Sequence, residues 1–548
     1  MTKRAFLALA GLAAAFLATA ATATSAAAAT EPAGVAAAKI DPALGTLLAA
    51  AGTQPVRVVY VLRDPPPRGA GDERRDLDRV RAALATDRQA VADLLARLGQ
   101  QVVYASPFTG MIVAAADGQG VAAAAADPRV VAVYPEGTHR PRLNVSKQVT
   151  QATIVHARGV RGAGARVAVV EDGTIDAHPA LPADRRILCT PGGAGVSDHK
   201  TEVAGVIQSG DPSFTGMAPQ ATLIDAIAAE PRDAAFMAAT DCAVAQGAVA
   251  VNMSFGSDTD GRWDAFADYV DRLVYRTGVT VVVAVSNQCG ERMGSPEIAF
   301  NDISVGAFSD RNTLALADDR QTCDPELGLN FSAYRDPPSL HGDRQQPDVV
   351  APGDLIHTTS LKGSFEDMSG TSFAAPHVTG EVALLQSRAG FSLAHQAERV
   401  RAIIMASARH NLEGAARLSD RDGAGGIRLA AADSVLRAGN SWWFSTPGAW
   451  RGFPHVQTFR AQAGQSVRVA LVWAHKPGGG HATVSTDLNL WVLDPAGRVV
   501  AGSASLDNNF EIAAFVANVT GAYTIRVNNA RPSAGTEHVG LAVSLTDQ

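Results

Sequence analysis

The chain of 548 residues is too long for a single hydrophobic core, so several domains are expected. With 18% charged and 47% hydrophobic residues it has the composition of a folded protein, and an Ala-rich N-terminal stretch contributes to the second value. The net charge of -7 is spread along the sequence and argues against nucleic acid or an anionic membrane surface as a partner.

Residues 1–29 have the pattern of a secretory signal peptide. Lys3 and Arg4 precede an apolar run over residues 5–20, and the alanines at residues 26–29 supply a small-residue cleavage site. Because the run is short and rich in Ala rather than Leu, this pattern favours a signal peptide over a membrane anchor. No later segment is long and apolar enough to span a bilayer, so we expect a secreted, extracellular protein.

The four cysteines all lie in the middle of the chain, at Cys189, Cys242, Cys289 and Cys323. In an exported protein they can form two disulfides with three possible pairings. Of these pairings we favour Cys189 with Cys242 and Cys289 with Cys323. None of the four has the Cys-x-x-Cys spacing that is typical of a metal site.

The segment after the leader alternates between strand and helix signals in the order β-α-β-β-α-β. Strands are predicted at residues 56–62, 102–105, 111–115 and 130–134. Helices are predicted at residues 72–98 and 120–126. This order is that of a split βαβ, ferredoxin-like α+β unit with its core at about residues 55–136.

From residue 163 to about residue 437, short buried strands alternate with helices, which predicts a parallel α/β sheet flanked by helices. Ligands of such sheets bind beyond the carboxyl ends of the strands. Beyond about residue 439 the sequence pattern changes from alternating strands and helices to strands alone. Strands predicted at residues 467–473, 488–493, 512–516, 523–527 and 539–545 indicate an all-β, jelly-roll-like sandwich.

The stretch around Ser372 joins a small, tightly turned Gly-Thr-Ser to an apolar helical run. Ser372 is therefore expected at or near a helix N-terminus, where free N–H groups and the positive end of the helix dipole favour negative charge. That position suits the serine nucleophile of an acyl transfer, which needs an exposed hydroxyl and donors for a developing oxyanion. Taken alone, the triplet is more simply explained as a capped helix.

The whole segment 370–380, which reads GTSFAAPHVTG, resembles the nucleophile motif of the subtilisin family of serine peptidases. Further blocks of residues 148–438 resemble the catalytic domain of that family, in the family's order. One of them, His199-Lys200-Thr201-Glu202-Val203-Ala204-Gly205, resembles the block that contains the family's general base. The resemblance implies Ser372 as nucleophile, His199 as base, Asn287 as oxyanion donor, and Ser254, Phe255 and Gly256 as backbone that pairs with a peptide substrate.

The resemblance also implies four parts of the chain, which are a signal peptide (residues 1–29), an inhibitory propeptide (30–146), a subtilisin-like catalytic domain (147–438) and a C-terminal β-sandwich domain (439–548). Cleavage of the propeptide is expected within or just after the polar linker at residues 136–146. Lys200 departs from the family pattern, and its charge lowers the pKa of the His199 imidazole if it points inward.

The acid of the triad is the point at which the sequence departs most from the family. The family has Asp at the end of the first strand, but the register of residues 167–170 puts Glu171 there and Asp172 one residue late. Kexin-like members carry Asp-Asp-Gly at this point and use the first acid. Because adjacent strand side chains point to opposite faces, Asp172 serves only if the strand slips or bulges. We therefore favour Glu171, keep Asp172 as the alternative, and expect compensation for the longer side chain or reduced activity.

The function predicted by this resemblance is a secreted serine endopeptidase made as an autoprocessed zymogen. Its expected partners are polypeptide substrates and its own propeptide as an intramolecular inhibitor, and a monomer is expected. No cofactor is required for the chemistry. A structural calcium ion is conceivable at Asp420-Arg421-Asp422-Gly423, which is better explained as a solvated turn. The alternatives are a subtilisin-fold binding module that has lost catalysis and a related acyl transfer such as peptide ligation.

Overall fold

The structure is a computed structural model, and it describes residues 33–63, 77–106, 110–136, 142–189, 195–259, 261–290, 293–324, 328–334, 339–410, 412, 418–447, 453–476, 484–532 and 536–546. The predicted signal peptide and much of the predicted cleavage linker lie outside these residues. The chain divides into two compact units, Met1–His139 and Arg140–Gln548. Within the described residues, no helix combines the length and the hydropathy needed to cross a membrane.

The N-terminal unit is an antiparallel four-stranded sheet with helices against it. Its elements are α1 (Ala33–Ala38), α2 (Pro42–Ala51), β1 (Val56–Leu62), α3 (Leu77–Arg97), β2 (Gln101–Ala105), β3 (Met111–Ala116), α4 (Gly118–Ala125) and β4 (Val130–Pro135). The strand order β2-β3-β1-β4 is that of the predicted ferredoxin-like unit. Alternate residues of β1, including Val58 and Tyr60, are fully buried in its core.

The second unit begins with a parallel α/β part whose order of elements agrees with the predicted alternation. Its helices are α5 (Arg142–Val149), α6 (Ala152–Ala157), α7 (Asp198–Gln208), α8 (Asp233–Ala245), α9 (Ala265–Thr277), α10 (Thr371–Arg388), α11 (Ala397–Ser407) and α12 (Leu429–Arg437). Its strands are β5 (Arg166–Asp172), β6 (Thr174–Ile175), β7 (Arg186–Cys189), β8 (Val196–Ser197), β9 (Thr222–Ala228), β10 (Ala250–Met253), β11 (Thr280–Ala284), β12 (Ile303–Ser309), β13 (Arg320–Gln321), β14 (Cys323–Asp324), β15 (Leu329–Asn330), β16 (Val349–Pro352), β17 (Ile356–Thr359) and β18 (Phe365–Met368).

The main sheet has the order β13-β12-β11-β10-β5-β9-β7, and β16 also pairs with β12. Its pairs are parallel except for the short antiparallel pair β12–β13. Both faces are buried, since Val167 and Val169 of β5 belong to one hydrophobic cluster while Ala168 and Val170 belong to the other. Helices α7, α10 and α11 contribute to the first cluster, and α8 and α9 contribute to the second.

The C-terminal part is a sandwich of two antiparallel four-stranded sheets, as predicted. Its strands are β19 (Ser441–Pro447), β20 (His455–Ala461), β21 (Ser466–Trp473), β22 (Asp487–Leu493), β23 (Val499–Ser503), β24 (Phe510–Val516), β25 (Gly521–Arg531) and β26 (Thr536–Thr546). The orders are β19-β26-β21-β24 and β20-β25-β22-β23. The first sheet packs on α11, and a Cβ at Gly540 would come within 2.3 Å of the Arg399 amide nitrogen.

The disulfides pair Cys189 with Cys242 and Cys289 with Cys323, which confirms the favoured pairing. The segment from Asp420 to Gly423 is a turn with Asp420 exposed, as expected, but the expectation that the whole turn is solvated is wrong for Asp422. The Asp422 side chain is buried, and its Oδ1 accepts a hydrogen bond from His410 Nδ1 at 2.9 Å and another from the Ser419 hydroxyl. These contacts engage Asp422 within the protein, and the described residues contain no group of three His, Cys, Asp or Glu side chains arranged to hold a metal ion.

Candidate active site

The end of β5 presents two adjacent carboxylates to opposite sides. Glu171 is 3% exposed, whereas Asp172 is exposed to solvent. The pairing of β5 with β9 runs from Arg166 to Asp172 without a bulge, so ordinary strand alternation accounts for this difference. The structure therefore directs Glu171 into the protein and leaves Asp172 outside.

His199 lies in the first turn of α7, whose N-terminus is capped by the Ser197 hydroxyl. Its Nδ1 donates a hydrogen bond to Glu171 Oε2 at 2.7 Å. The edge of the imidazole packs against the Phe373 ring, with 5.6 Å between the ring centroids. Glu171 and Phe373 thus orient the ring, and the neutral tautomer with a proton on Nδ1 leaves Nε2 able to accept a proton.

The charges around His199 favour its protonated form. Burial lowers the pKa of the imidazole, but the charge and hydrogen bond of Glu171, with weaker contributions from Glu202 and Asp172, outweigh burial and raise it. Burial raises the pKa of the neighbouring Glu202 carboxyl to about 7. The imidazolium that forms during acid–base catalysis is therefore stabilised at this site.

Lys200 points inward and is completely buried together with Asp225 of β9. Its Nζ lies 2.7 Å from Asp225 Oδ1 and donates hydrogen bonds to the carbonyl oxygens of Gly173 and Ala226 at 3.0 and 2.8 Å. The expected lowering of the His199 pKa by Lys200 is wrong, because Asp225 compensates the ammonium charge and Glu171 is in direct contact with the imidazole. Instead, Lys200 ties the start of α7 to the loop that follows Glu171.

Ser372 lies in the first turn of α10, directly after Gly370, whose φ of 151° favours glycine. Two hydrogen bonds join it to Ser254. The Ser254 hydroxyl donates to the Ser372 carbonyl at 2.9 Å, and the Ser372 hydroxyl donates to the Ser254 carbonyl at 3.3 Å. In the described part of the chain, the Ser372 hydroxyl makes no hydrogen bond to His199. Catalytic hydrogen bonds often form only when a substrate is bound.

Asn287 follows β11 and is held by Thr371, the residue before Ser372. Its Oδ1 accepts hydrogen bonds from the amide N–H and the hydroxyl of Thr371, both at 2.9 Å. These bonds fix the orientation of the side chain and turn its NH₂ group away from Thr371. The amide is thus available as a donor beside the N-terminus of α10.

A cleft of about 230 Å³ opens beside Ser372. The three residues that follow β10, Ser254, Phe255 and Gly256, form one side of it, and Phe255 is supported by stacking on Phe236 at 3.9 Å between ring centroids. Asn287 and Ser372 also contribute to its lining. The nucleophile candidate, the amide donor and the substrate-strand candidate therefore surround one cavity.

Residues 162–425 match the model of the subtilase family. Subtilisin BL of Lederbergia lenta is 30% identical over 247 residues, which are 43% of this chain and 82% of that protein. The chain belongs to the subtilase family. Subtilisin E of Bacillus subtilis (strain 168) is 26% identical over 313 residues, which are 54% of this chain and 75% of that protein.

Among solved structures, a serine-to-alanine mutant of the protease domain of PatA aligns with the subtilase at 25% identity and a TM-score of 0.39. The alignment covers 51% of this chain and 98% of the PatA chain. The family identified from the motifs of the sequence is thus confirmed by relatives whose similarity extends over most of their own length.

The structure of the subtilase brings most of the predicted site residues together. Glu171 contacts His199, Ser372 contacts Ser254, and Asn287 is bound to the residue before Ser372. Asp172 is not brought into this group, because its side chain points to solvent. The catalytic roles of these predicted site residues remain predictions.

Sequence analysis missed three residues that shape this site, namely Asp225, Thr371 and Glu297. Asp225 is a charged residue in the middle of a buried strand, and that pattern is a usable signal for a buried partner. Thr371 is part of the Ser372 motif, but its bond to Asn287 spans 84 residues of sequence. Glu297 lines the cleft from a separate loop, and no local pattern indicates this.

Proposed function

We propose that this subtilase is a serine endopeptidase that hydrolyses peptide bonds through an acyl-enzyme on Ser372. The observation that carries the proposal is the 2.7 Å hydrogen bond between Glu171 and His199 at one end of the sheet, beside the helix N-terminus that holds Ser372. His199 takes the proton of the Ser372 hydroxyl as its oxygen attacks the substrate carbonyl carbon, and then gives that proton to the leaving amine. A water molecule then attacks the ester, with His199 as base again.

Two other groups support this mechanism. Glu171 keeps the Nδ1 proton on His199 and stabilises the imidazolium. The Asn287 amide and the Ser372 N–H in the first turn of α10 donate to the oxyanion of the tetrahedral intermediate. The backbone of Ser254, Phe255 and Gly256 pairs with an extended peptide, so that substrate side chains enter the pockets beside it.

We further propose that the protein is secreted and made as a zymogen. The arrangement of elements in the N-terminal unit supports an inhibitory propeptide at residues 30–146, followed by a catalytic domain at residues 147–438. The N-terminal pattern supports removal of residues 1–29 on export. The C-terminal sandwich at residues 439–548 is proposed to stabilise the catalytic domain, since Tyr275 donates a hydrogen bond to the Thr536 carbonyl at 3.0 Å.

A second candidate is a subtilase-fold binding module without catalysis. It is favoured by one observation, that the Ser372 hydroxyl donates to the Ser254 carbonyl and not to His199. A fluorophosphonate probe separates the two functions, because it forms a bond only with an activated serine. Labelling of the wild type but not of Ser372→Ala contradicts the binding module.

The experiment that tests the proposal compares wild type with Ser372→Ala, expressed in full length and examined by intact mass and N-terminal sequencing. The proposal expects the wild type to lose the N-terminal unit and the variant to keep it. Identical processing of both proteins, together with absence of fluorophosphonate labelling and of peptide cleavage, would falsify it. Product analysis on a peptide library also distinguishes hydrolysis from peptide ligation.

A further inference from the structure

Glu297 is a buried carboxylate that lines the cleft beside Ser372. It is 1% exposed, and its Oε1 accepts a hydrogen bond from the Gly294 amide at 2.6 Å. Its Oε2 is buried and has no hydrogen-bond partner among the described residues. Gly294 therefore holds the carboxylate through Oε1, the backbone N–H groups of Glu297 and Ser286 also lower its pKa, and no described residue makes a hydrogen bond to Oε2.

The unpartnered oxygen lies beside the proposed substrate strand. A Cβ built on Gly256 would come within 3.1 Å of Glu297 Oε2, so a larger residue at this position would crowd the buried oxygen from the side of the proposed substrate strand. The backbone of Gly256 forms part of the same cavity as Ser372 and Asn287. A substrate side chain next to the attacked carbonyl would therefore be directed toward Glu297.

The charges around the cleft all have the same sign. Its lining contains two ionisable side chains, the exposed Asp258 at the surface and the buried Glu297 inside, and neither Lys nor Arg is among the described lining residues. The next charged neighbour of Glu297 is Asp264, which raises its pKa further. Asp264 is itself an anion and cannot compensate the charge of Glu297; its Oδ1 accepts hydrogen bonds from the Phe266 and Ala267 amides and the Ser295 hydroxyl.

A buried carboxylate with an unpartnered oxygen is unfavourable for the empty enzyme. Burial raises the pKa of Glu297 to about 7, against the opposing effect of backbone hydrogen bonds. A cation that enters the cleft would donate a hydrogen bond to Oε2 and compensate the negative charge of Glu297. It would therefore remove the cost of the unpartnered oxygen and the cost of the buried charge together. A neutral amide donor would satisfy the oxygen but would leave the charge uncompensated.

We propose that Glu297 selects substrates with a lysine or arginine side chain on the residue whose carbonyl Ser372 attacks. The aliphatic stem of such a side chain would pack along Phe255, Ala284 and Val285, which also line the cleft. The inference rests on the proposed peptidase function and adds a substrate class to it.

The test uses the mature enzyme and peptide substrates that differ only in this residue, with lysine, its uncharged isostere norleucine, and glutamine compared by kcat/KM. We expect lysine to be preferred over norleucine by at least about tenfold. Glu297→Gln retains the acceptor for the Gly294 amide and should reduce the preference to about threefold or less, chiefly by lowering kcat/KM for lysine. Asp258→Asn is the matched control and should retain most of the preference, since Asp258 is exposed.

Several outcomes overturn the inference. Equal kcat/KM values of the wild type for the lysine and norleucine peptides overturn it. This comparison needs no variant, so it stands even if Glu297→Gln fails to fold. A larger effect of Asp258→Asn than of Glu297→Gln assigns the selection to the surface carboxylate instead.

The proposed function and this inference fail in different ways. Fluorophosphonate labelling together with cleavage after norleucine that is as efficient as cleavage after lysine supports the peptidase and contradicts the role of Glu297. If no substrate is cleaved and no serine is labelled, the binding of benzamidine, measured by calorimetry, tests the proposed cation site independently of catalysis. Binding that is weakened about tenfold by Glu297→Gln supports the cation site, and equal binding by both proteins contradicts it.

Discussion

Glu171 Oε2 accepts a hydrogen bond from His199 Nδ1 at 2.7 Å, while Asp172, the next residue of the same strand, points to solvent. The second oxygen of Glu171 is buried and has no hydrogen-bond partner among the described residues. Glu171 thus contacts the imidazole through one oxygen. Its longer side chain is accommodated within an unbroken strand register, without a bulge between Arg166 and Asp172.

This geometry predicts unequal effects for the two adjacent acids. Glu171→Gln should lower kcat by about 10³–10⁴-fold, because the amide no longer selects the Nδ1-protonated tautomer or stabilises the imidazolium. Asp172→Asn should change kcat by no more than about threefold, because its side chain does not contact the imidazole. Steady-state kinetics of both variants on one peptide substrate provides the comparison.

The reverse order of effects would assign the acid role to Asp172 and would require a bulge in β5 that this structure lacks. Glu171→Asp adds a matched control for length. It keeps the charge but withdraws it by about 1 Å, so a loss on the order of 10²-fold is expected.

The pH dependence of activity should follow the raised pKa of His199. The base must be neutral to accept the Ser372 proton, so kcat/KM should fall as pH decreases through the pKa of the imidazole. Because Glu171 raises that pKa, Glu171→Gln should move the acidic limb to lower pH while lowering the plateau. A pH series from about 4 to 9 measures both effects, and an unmoved limb would show that the imidazole does not control it.

The choice of Glu171 over Asp172 could be predicted from the sequence because it depends on local strand alternation. The behaviour of Lys200 could not, because its partner Asp225 lies on a different strand. The position of Glu297 in the cleft also could not be predicted from the sequence, because Glu297 lies on a loop distant in sequence from Gly256, which it approaches in the fold.

The fold shows the same division. The four strands of the N-terminal unit and five strands of the sandwich were predicted from their apolar patterns. Three strands of the sandwich, β19, β20 and β23, were not predicted; all three lie at sheet edges, and of the four edge strands only β24 was predicted. Edge strands have one unpaired side and mixed burial, so their hydrophobic alternation is weak, as the half-exposed β20 illustrates.

The buried pair of Lys200 and Asp225 should be more important for stability than a surface ion pair. Asp225→Asn leaves the ammonium buried without a counterion, and Lys200→Met leaves the carboxylate without one, so each should destabilise by about 3–5 kcal/mol. The double variant should lose less than the sum, because neither charge remains. Denaturant unfolding in a Ser372→Ala background, which prevents autolysis, measures this cycle, and strictly additive losses would contradict direct coupling.

Glu381 of α10 should make stability depend on pH. It is completely buried, and neither of its carboxylate oxygens has a hydrogen-bond partner among the described residues. Burial raises its pKa from 4.5 to about 8, a difference that corresponds to about 5 kcal/mol. The carboxyl is neutral in the folded state, so its contribution is fully present below pH 4.5 and is lost as pH rises toward 8.

Other buried acids titrate in the same range, so the test of Glu381 is a comparison of variants. In the Ser372→Ala background, Glu381→Gln should flatten the decline of unfolding free energy between about pH 5 and 8, because the amide does not ionise. Glu381→Met should in addition raise stability at pH 8, since an apolar side chain of similar length replaces an uncompensated carboxylate. Urea unfolding at several pH values measures both effects. If the unfolding free energies of the parent and of Glu381→Gln decline in parallel with pH, ionisation of Glu381 does not cause the decline. The Glu381 carboxylate is then ionised in the folded protein and stabilised by a contact that offsets its burial, so the expected gain from Glu381→Met should also be absent.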